Sequence, residues 1–316
     1  MLQHAIRRVL LVIPTLFGMS VLIFGMVRLL PGDVVTALLS GDVGVTKAKQ
    51  AALRRSLGLS DPIPVQYWNF VKGLVTGHLG NSLVSGRPVS SILLGALPIT
   101  FELALLAGLL AIAVGVPLGV VSAVRPNGLI DLAARVSGLA GVAVPNFWLA
   151  TLILLGTSLL FHWIPPVVWV SFFEAPAGNL EEVFIPVIAI SLYPMAIVMR
   201  MARASMLEVL NEDFVRTARA KGAGPLRVVF RHALRNAVIP VITVIGFEVG
   251  SLLSGATVIE VMFGLPGIGY TMLQAVYTRD YPVVEVTAIV LAFTFVLVNT
   301  FVDLLYGVVD PRIEQR

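Results

Sequence analysis

Six stretches of this chain, at about 9–30, 98–124, 136–161, 183–201, 238–262 and 284–308, stay apolar for roughly twenty residues or longer. A bilayer core about 30 Å thick asks for roughly 20 residues of helix, and the absence of water there forces every backbone N–H and C=O to find a partner within the segment. The pattern therefore predicts an all-α integral membrane protein with six transmembrane helices. Composition agrees: 57% of the residues are apolar and 13% are charged, where a soluble domain carries about a quarter charged. Arg7 and Arg8 precede the first stretch as they would in a secretory signal. Its apolar run is too long for one and no small-x-small cleavage site follows, so it reads as a retained helix.

A net charge of +4 could point to nucleic acid, but the basic residues sit between the apolar runs, where they report orientation instead. Arg7 and Arg8, Arg125 and Arg135, eight Lys or Arg from Arg200 to Arg235, and Arg312 with Arg316 all fall on one side of a six-span topology. The short loops of the other side hold Arg279, while Glu174, Glu181 and Glu182 crowd the loop at 162–182. Both termini are therefore expected in the cytoplasm, with Trp163 and Trp169 in an aromatic belt at the outer interface. There is no cysteine, and His4, His78, His162 and His232 are scattered outside the spans. This argues against a metal centre or a Ser-His enzyme site in the membrane.

The chain divides into 1–30 (tail and first span), an extracytoplasmic insertion at 31–97, and a five-helix core at 98–316. In the insertion, helices are expected at 47–57, stopped by Gly58, and after Pro64, where Val65, Trp68, Val71 and Val75 recur at helical spacing. The insertion reads either as a cap on the helix ends or as a platform for a soluble partner. The inside loop at 202–237 is too polar for lipid and too patterned for a linker. Asn211 is expected to N-cap a short helix whose first residues, Glu212 and Asp213, suit its positive end. Gly222 is placed for a left-handed C′ position, and Gly224-Pro225 restarts the chain with Pro at N1 of a helix bearing Arg227, Arg231 and Arg235. Such paired caps describe a stiff basic helix lying across the inner face. It either docks a partner or faces lipid headgroups.

That loop resembles the cytoplasmic coupling loop of ATP-binding-cassette (ABC) importer permeases. Ala218, Gly222 and Leu234 match the general Glu-Ala-Ala…Gly…Ile-x-Leu-Pro pattern, while Arg216, Thr217, His232 and Arg235 depart from it. The run Phe214-Val215-Arg216-Thr217-Ala218-Arg219-Ala220-Lys221-Gly222, with Arg231-His232-Ala233-Leu234-Arg235-Asn236, is similar to the variant in dipeptide, oligopeptide and nickel permeases. So are Leu30-Pro31-Gly32-Asp33, Leu57-Gly58-Leu59, Pro64-Val65-Gln66-Tyr67, Leu79-Gly80-Asn81-Ser82, Thr100-Phe101-Glu102-Leu103-Ala104, Pro266-Gly267-Ile268-Gly269 and Arg279-Asp280-Tyr281-Pro282. The insertion after the first helix is similar to the B-type subunit of such systems, in which His78 stands where an acid is commoner.

The resemblance implies a type I ABC importer permease in a bacterial or archaeal cytoplasmic membrane, itself not an enzyme. A second homologous permease, two ATPase subunits, an extracytoplasmic substrate-binding protein and the lipid bilayer are the expected partners; nucleic acid is not. The chain has no phosphate loop of its own, so ATP and Mg are expected in the ATPases and no cofactor here. Phe214 and Ala218 would pack against the ATPase, Arg216, Arg219 and Lys221 would pair with its acids, and Thr217, Ala223 and Gly224 complete the coupling segment. In the fifth span Glu248 sits mid-helix, where an acid costs about 2.5–3.5 kcal/mol on insertion scales. It is either a translocation-path residue or a packing residue toward the second permease. Glu102, Glu260 and Asp303 lie nearer span ends and are expected at the interface. Peptides are the expected cargo, with nickel or another small solute as the alternative within the family. An ion-coupled secondary transporter, which would bring inverted repeats, is the alternative outside it.

Overall fold

The computed structural model describes residues 2–29, 35, 46–56, 58–166 and 168–309. Among these residues the structure is helical, with one isolated bridge between Asn81 and Pro88 and no strand. The elements are α1 (Leu2–Leu29), α2 (Lys47–Ser56), α3 (Ile63–Thr76), α4 (Val89–Val124), α5 (Leu129–Ala143), α6 (Asn146–Phe161), α7 (Pro176–Leu210), α8 (Asp213–Ala220), α9 (Leu234–Phe263), α10 (Ile268–Thr278) and α11 (Tyr281–Val309). One α-turn at Pro225–Arg227 and a π-helical turn at Val228–Ala233 lead into α9. The Leu30-Pro31-Gly32-Asp33 motif, Leu57, the Asp303 side chain, and the tail with Arg312 and Arg316 lie outside the described residues.

Among the described residues, five helices are long and apolar enough to cross a membrane: Leu10–Leu29, Val89–Val124, Pro176–Leu210, Pro225–Leu253 and Tyr281–Val302. The expected span at 136–161 is not one helix. It is the pair α5 and α6, which meet at 109°. Proline is the cause: Pro145 has no N–H to give and pushes Val144 out of the helical basin, to φ −87° and ψ 122°. α9 ends at Gly264, which turns left-handed at φ 67°.

Contacts divide the chain into two compact units, Thr100–Leu265 with Val298–Arg316, and Leu2–Ile99 with Pro266–Leu297. In the first, α7 is the hub on which α5, α6 and α9 pack. Glycine lets α4 approach it closely: a Cβ on Gly115 would lie 2.8 Å from the Met195 carbonyl, and one on Gly119 2.5 Å from that of Met199. Gly138 and Gly141 of α5 meet α7 the same way, at the side chains of Met199 and Ala196. Such small-residue seams substitute for the hydrophobic effect, which gives helices no reason to associate in lipid.

The second unit holds the insertion. Tyr67 and Phe70 of α3 pack against Phe24 of α1, and the Tyr67 hydroxyl lies 2.8 Å from Ser20 Oγ. Of the residues at helical spacing, Val71 is half-buried while Val65, Trp68 and Val75 are exposed. The aromatic face made the better fit to α1, and spacing alone could not say which of two apolar faces would win. Asp280 accepts a hydrogen bond from Ser82 Oγ and another from the Leu83 N–H at 3.0 Å, so the Leu79-Gly80-Asn81-Ser82 and Arg279-Asp280-Tyr281-Pro282 segments meet. Arg28 is ion-paired with Glu285 and reaches Gln66.

Candidate functional site

The polar connection between α7 and α9 carries most of the residues singled out from the sequence. It starts later than expected, because α7 stays helical to Leu210. Met206, Val229, Ala233 and Ala237 form one buried cluster with Val120 and Ala123 of α4, and Ser205 Oγ donates to the Ala237 carbonyl at 2.9 Å. These contacts tie the last turns of α7 to the start of α9. Asn211 is consequently not the N-cap of α8. It ends α7, its Nδ2 donating to the Leu207 carbonyl at 2.9 Å, and Glu212 occupies the N-cap place without a side-chain bond.

Helix α8 is held at its centre and at its end. Val215 is fully buried, the one residue of the helix that is, and α8 packs against the π-helical turn. At the C-terminus the Ala223 N–H reaches the Ala218 carbonyl at 3.1 Å and the Gly222 N–H the Arg219 carbonyl at 2.9 Å. This is the Schellman pattern, and Gly222 takes the left-handed position at φ 82°. Gly224 is extended and Pro225 opens the next turn. The buried Val215 and the Schellman turn at its C-terminus leave α8 a rigid projection.

The exposed surface of the connection differs in part from the expected one. Phe214 is 42% exposed, and Leu226 and Phe230 are 73% and 62% exposed. The latter two were missed because the sequence placed them on a helix that continued into the membrane. Ala218 and Ala223 are half-buried, whereas Arg219, Lys221 and Gly224 are open. Arg216 is ion-paired with Asp213 of its own helix, one turn away, and Thr217 Oγ1 donates to the Asp213 carbonyl at 2.9 Å. Arg219 and Lys221 therefore carry the cationic character of α8 outward.

Beneath this connection, Asp131 at the start of α5 is fully buried. Ser122 of α4 and the Asn127 N–H donate to it, and Arg203 of α7 bonds it through two nitrogens. Three helices are thus joined by one carboxylate. The sequence reading passed over Asp131, although an acid one turn into a helix after Gly128 was visible.

Glu248 lies in α9, 5% exposed, and Ser251 Oγ donates to its Oε2 at 3.1 Å. Around it are Gly108 and Ala111 of α4, Pro194 and Val198 of α7, and Leu252. Next to this, a groove of about 440 Å³ opens at the α5–α6 bend, lined by Pro145, Asn146, Tyr193, Pro194, Ser251 and Leu252. Glu260, expected at the interface, is fully buried and accepts a hydrogen bond from Thr100 Oγ1 at 2.6 Å. Glu248 and α8 do not come together; they are separate features of one unit. Among the described residues no group of three His, Cys, Asp or Glu is placed to hold a metal.

Residues 115–315 match the family described as "Binding-protein-dependent transport system inner membrane component", and residues 1–104 match its N-terminal companion, "Binding-prot-dependent transport system membrane comp, N-term". The chain is 40% identical over 334 residues to the dipeptide transport system permease protein DppB of Alkalihalophilus pseudofirmus, covering 99% of this chain and 100% of that one. It is 39% identical over 345 residues to DppB of Escherichia coli K12, covering 100% of both. To the di/tripeptide permease DppB of Pseudomonas aeruginosa it is 39% identical over 336 residues, again covering 100% of both. Among solved structures, an inward-facing MetNI methionine ABC transporter chain superimposes with a TM-score of 0.55 at 16% identity, covering 71% of this chain and 98% of that one. The last comparison is one of fold.

Proposed function

From the premise that this chain belongs to the binding-protein-dependent transport system inner membrane components, we propose that it forms half of the translocation path of an ATP-driven importer of di- and oligopeptides. It is a multi-pass membrane permease subunit that works with other components of an ABC system. Its proposed partners are a second homologous permease, two ATPase subunits with their ATP and Mg, and an extracytoplasmic peptide-binding protein. Its termini are proposed to lie in the cytoplasm, which puts α8 on the ATPase side. The peptide reading rests on 39–40% identity, along the whole chain, to permeases named for dipeptide or di/tripeptide transport.

In this mechanism α8 sits in a cleft of one ATPase. Phe214, with Leu226 and Phe230 nearby in the chain, offers the apolar contact, and Arg219 and Lys221 offer charge. Closure of the ATPases on nucleotide moves α8. A rigid helix anchored by Val215 passes that motion through the π-helical turn into α9 and α7 rather than absorbing it. The membrane helices then rock between inward-open and outward-open states. Glu248 and the neighbouring groove at the α5–α6 bend, which Tyr193 and Asn146 line, are the proposed path-lining features, the carboxylate suiting a peptide's amine and the groove's polar groups its amides.

The test is uptake of a labelled dipeptide into liposomes holding the complete purified system with its binding protein inside the assay medium. Uptake that needs ATP and this subunit supports the reading. Vectorial uptake by the chain alone, driven by an ion gradient, would refute it.

A further inference from the structure

Three arginines of the polar connection have no place in the mechanism above. Arg227, Arg231 and Arg235 recur at every fourth residue along the turns that lead into α9, so they fall in one row. All three are exposed. Val229, Ala233 and Ala237, each two residues further on and so on roughly the opposite side of the helix, are buried in the cluster with α4 and α7. None of the three arginines has a hydrogen bond or ion pair with another described residue. Their own stretch offers no counter-charge: Phe214 to Phe247 holds no Asp or Glu, and Asp213 is taken by Arg216.

The helix they enter sets their level relative to lipid. Pro225–Leu253 is long and apolar enough to cross a membrane, and between Asn236 and Ile259 the single charged residue is Glu248. The lipid-compatible part of the span therefore begins at about Ala237. At 1.5 Å a residue, Arg235 lies about 3 Å before that point, Arg231 about 9 Å and Arg227 about 15 Å. The headgroup layer on each side of a bilayer core is roughly 5–8 Å deep. Arg231 and Arg235 thus stand at the depth of the phosphates, where a soluble protein arrives only by displacing lipid. Two guanidiniums one turn apart can grip one phosphate between them, each offering paired N–H donors.

We propose that Arg231 and Arg235 form a binding site for the phosphate of an anionic phospholipid, with Arg227 adding attraction from the outer edge. Anionic headgroups collect at basic residues that border a membrane span, each charge acting over about a Debye length. Leu226 and Phe230, the row beside the arginines, stay free for the ATPase. A bound lipid would brace the junction through which motion of α8 reaches α9. The site is independent of the cargo and of which side the termini occupy, because it needs only the span.

Native mass spectrometry of the full-length permease, stripped of lipid in a neutral detergent and titrated with phosphatidylglycerol, tests it. Phosphatidylcholine and inorganic phosphate are run in parallel. A saturable phosphatidylglycerol adduct is expected, weakened by NaCl and preferred over phosphatidylcholine. R231Q with R235Q should lower that affinity by roughly tenfold or more, at about a factor of five per arginine, while R231K with R235K should keep most of it. K72Q with R87Q removes the same charge from exposed positions elsewhere and should change nothing. Equal binding of the two lipids would overturn the proposal. So would affinity that survives R231Q with R235Q, or an equal loss in K72Q with R87Q. Inorganic phosphate that displaces phosphatidylglycerol at matched concentration would overturn it in favour of a soluble anion. ATPase co-purification lost in R231Q with R235Q while phosphatidylglycerol still binds would give the row to the ATPase instead.

Discussion

Arg203 holds Asp131 through both edges of the carboxylate, with Nε 2.6 Å from Oδ1 and Nη2 3.0 Å from Oδ2. Such bidentate contacts combine charge with fixed direction. Arg135 also lies 3.5 Å from Asp131, one turn along α5, but it is half-exposed and cannot replace a partner on another helix. The pair links α5 to the stretch of α7 that leads toward α8, the place where motion of a docked ATPase would enter.

Asp131→Asn and Arg203→Gln should each reduce transport and lower thermal stability, because each leaves its partner without a counter-charge. The two changes share one interaction, so their effects should not add. A double-mutant cycle on melting temperature checks this, and additive losses would show that the residues act independently.

The contact of α4 with α7 depends on the absence of side chains. Gly119→Leu puts atoms where the Met199 carbonyl and Ala202 already lie and should destabilise the protein by about 1–3 kcal/mol, the usual range for overpacking. Gly156→Ala is the matched control, since nothing lies within 4 Å of a Cβ there. Fluorescence-detected elution after a heat ramp should separate the two; equal retention would disprove the packing argument.

Gly222 has open space around it but a φ of 82°. Gly222→Val should therefore act by strain alone, about 1–2 kcal/mol for a left-handed residue with a Cβ, and Gly222→Asn should act less. Because α8 is short, the strain should appear as weaker co-purification of the ATPase while the membrane helices stay folded. Undiminished co-purification with Gly222→Val would count against α8 as the docking element.

Val215 is the anchor of α8, and losing its burial removes roughly 1.5–3 kcal/mol of apolar contact. Val215→Asp should free α8 from the π-helical turn. ATP hydrolysis should then continue in the reconstituted system while uptake falls, and limited proteolysis should cut between α7 and α9. Uptake that stayed tied to hydrolysis would show that α8 need not be anchored.

Glu248→Gln keeps the size of the side chain and its hydrogen bond to Ser251 while removing charge. Lower uptake with unchanged assembly would place Glu248 on the path. Unchanged uptake with poorer assembly would make it a packing residue.

Local chemistry was legible from the sequence. Apolar length marked the long helices α1, α4, α7, α9 and α11, Gly222 could be assigned its left-handed position because glycine takes it without strain, and Pro225 marked a helix start because proline has no N–H to lose there. The break at Pro145 carried the same kind of signal, but the apolar run continued through it. Hydrophobicity reports whether a segment suits lipid and says nothing of whether it is straight. Residue choice and spacing thus determined which segments are helical and which loop is stiff. Only the tertiary structure decided which partner each polar or apolar group would take. The aromatic face of α3 packed on α1, and Arg203 met Asp131 from another helix. Those choices depend on what folding brings within a few ångströms, a property of the whole chain rather than of any stretch of it.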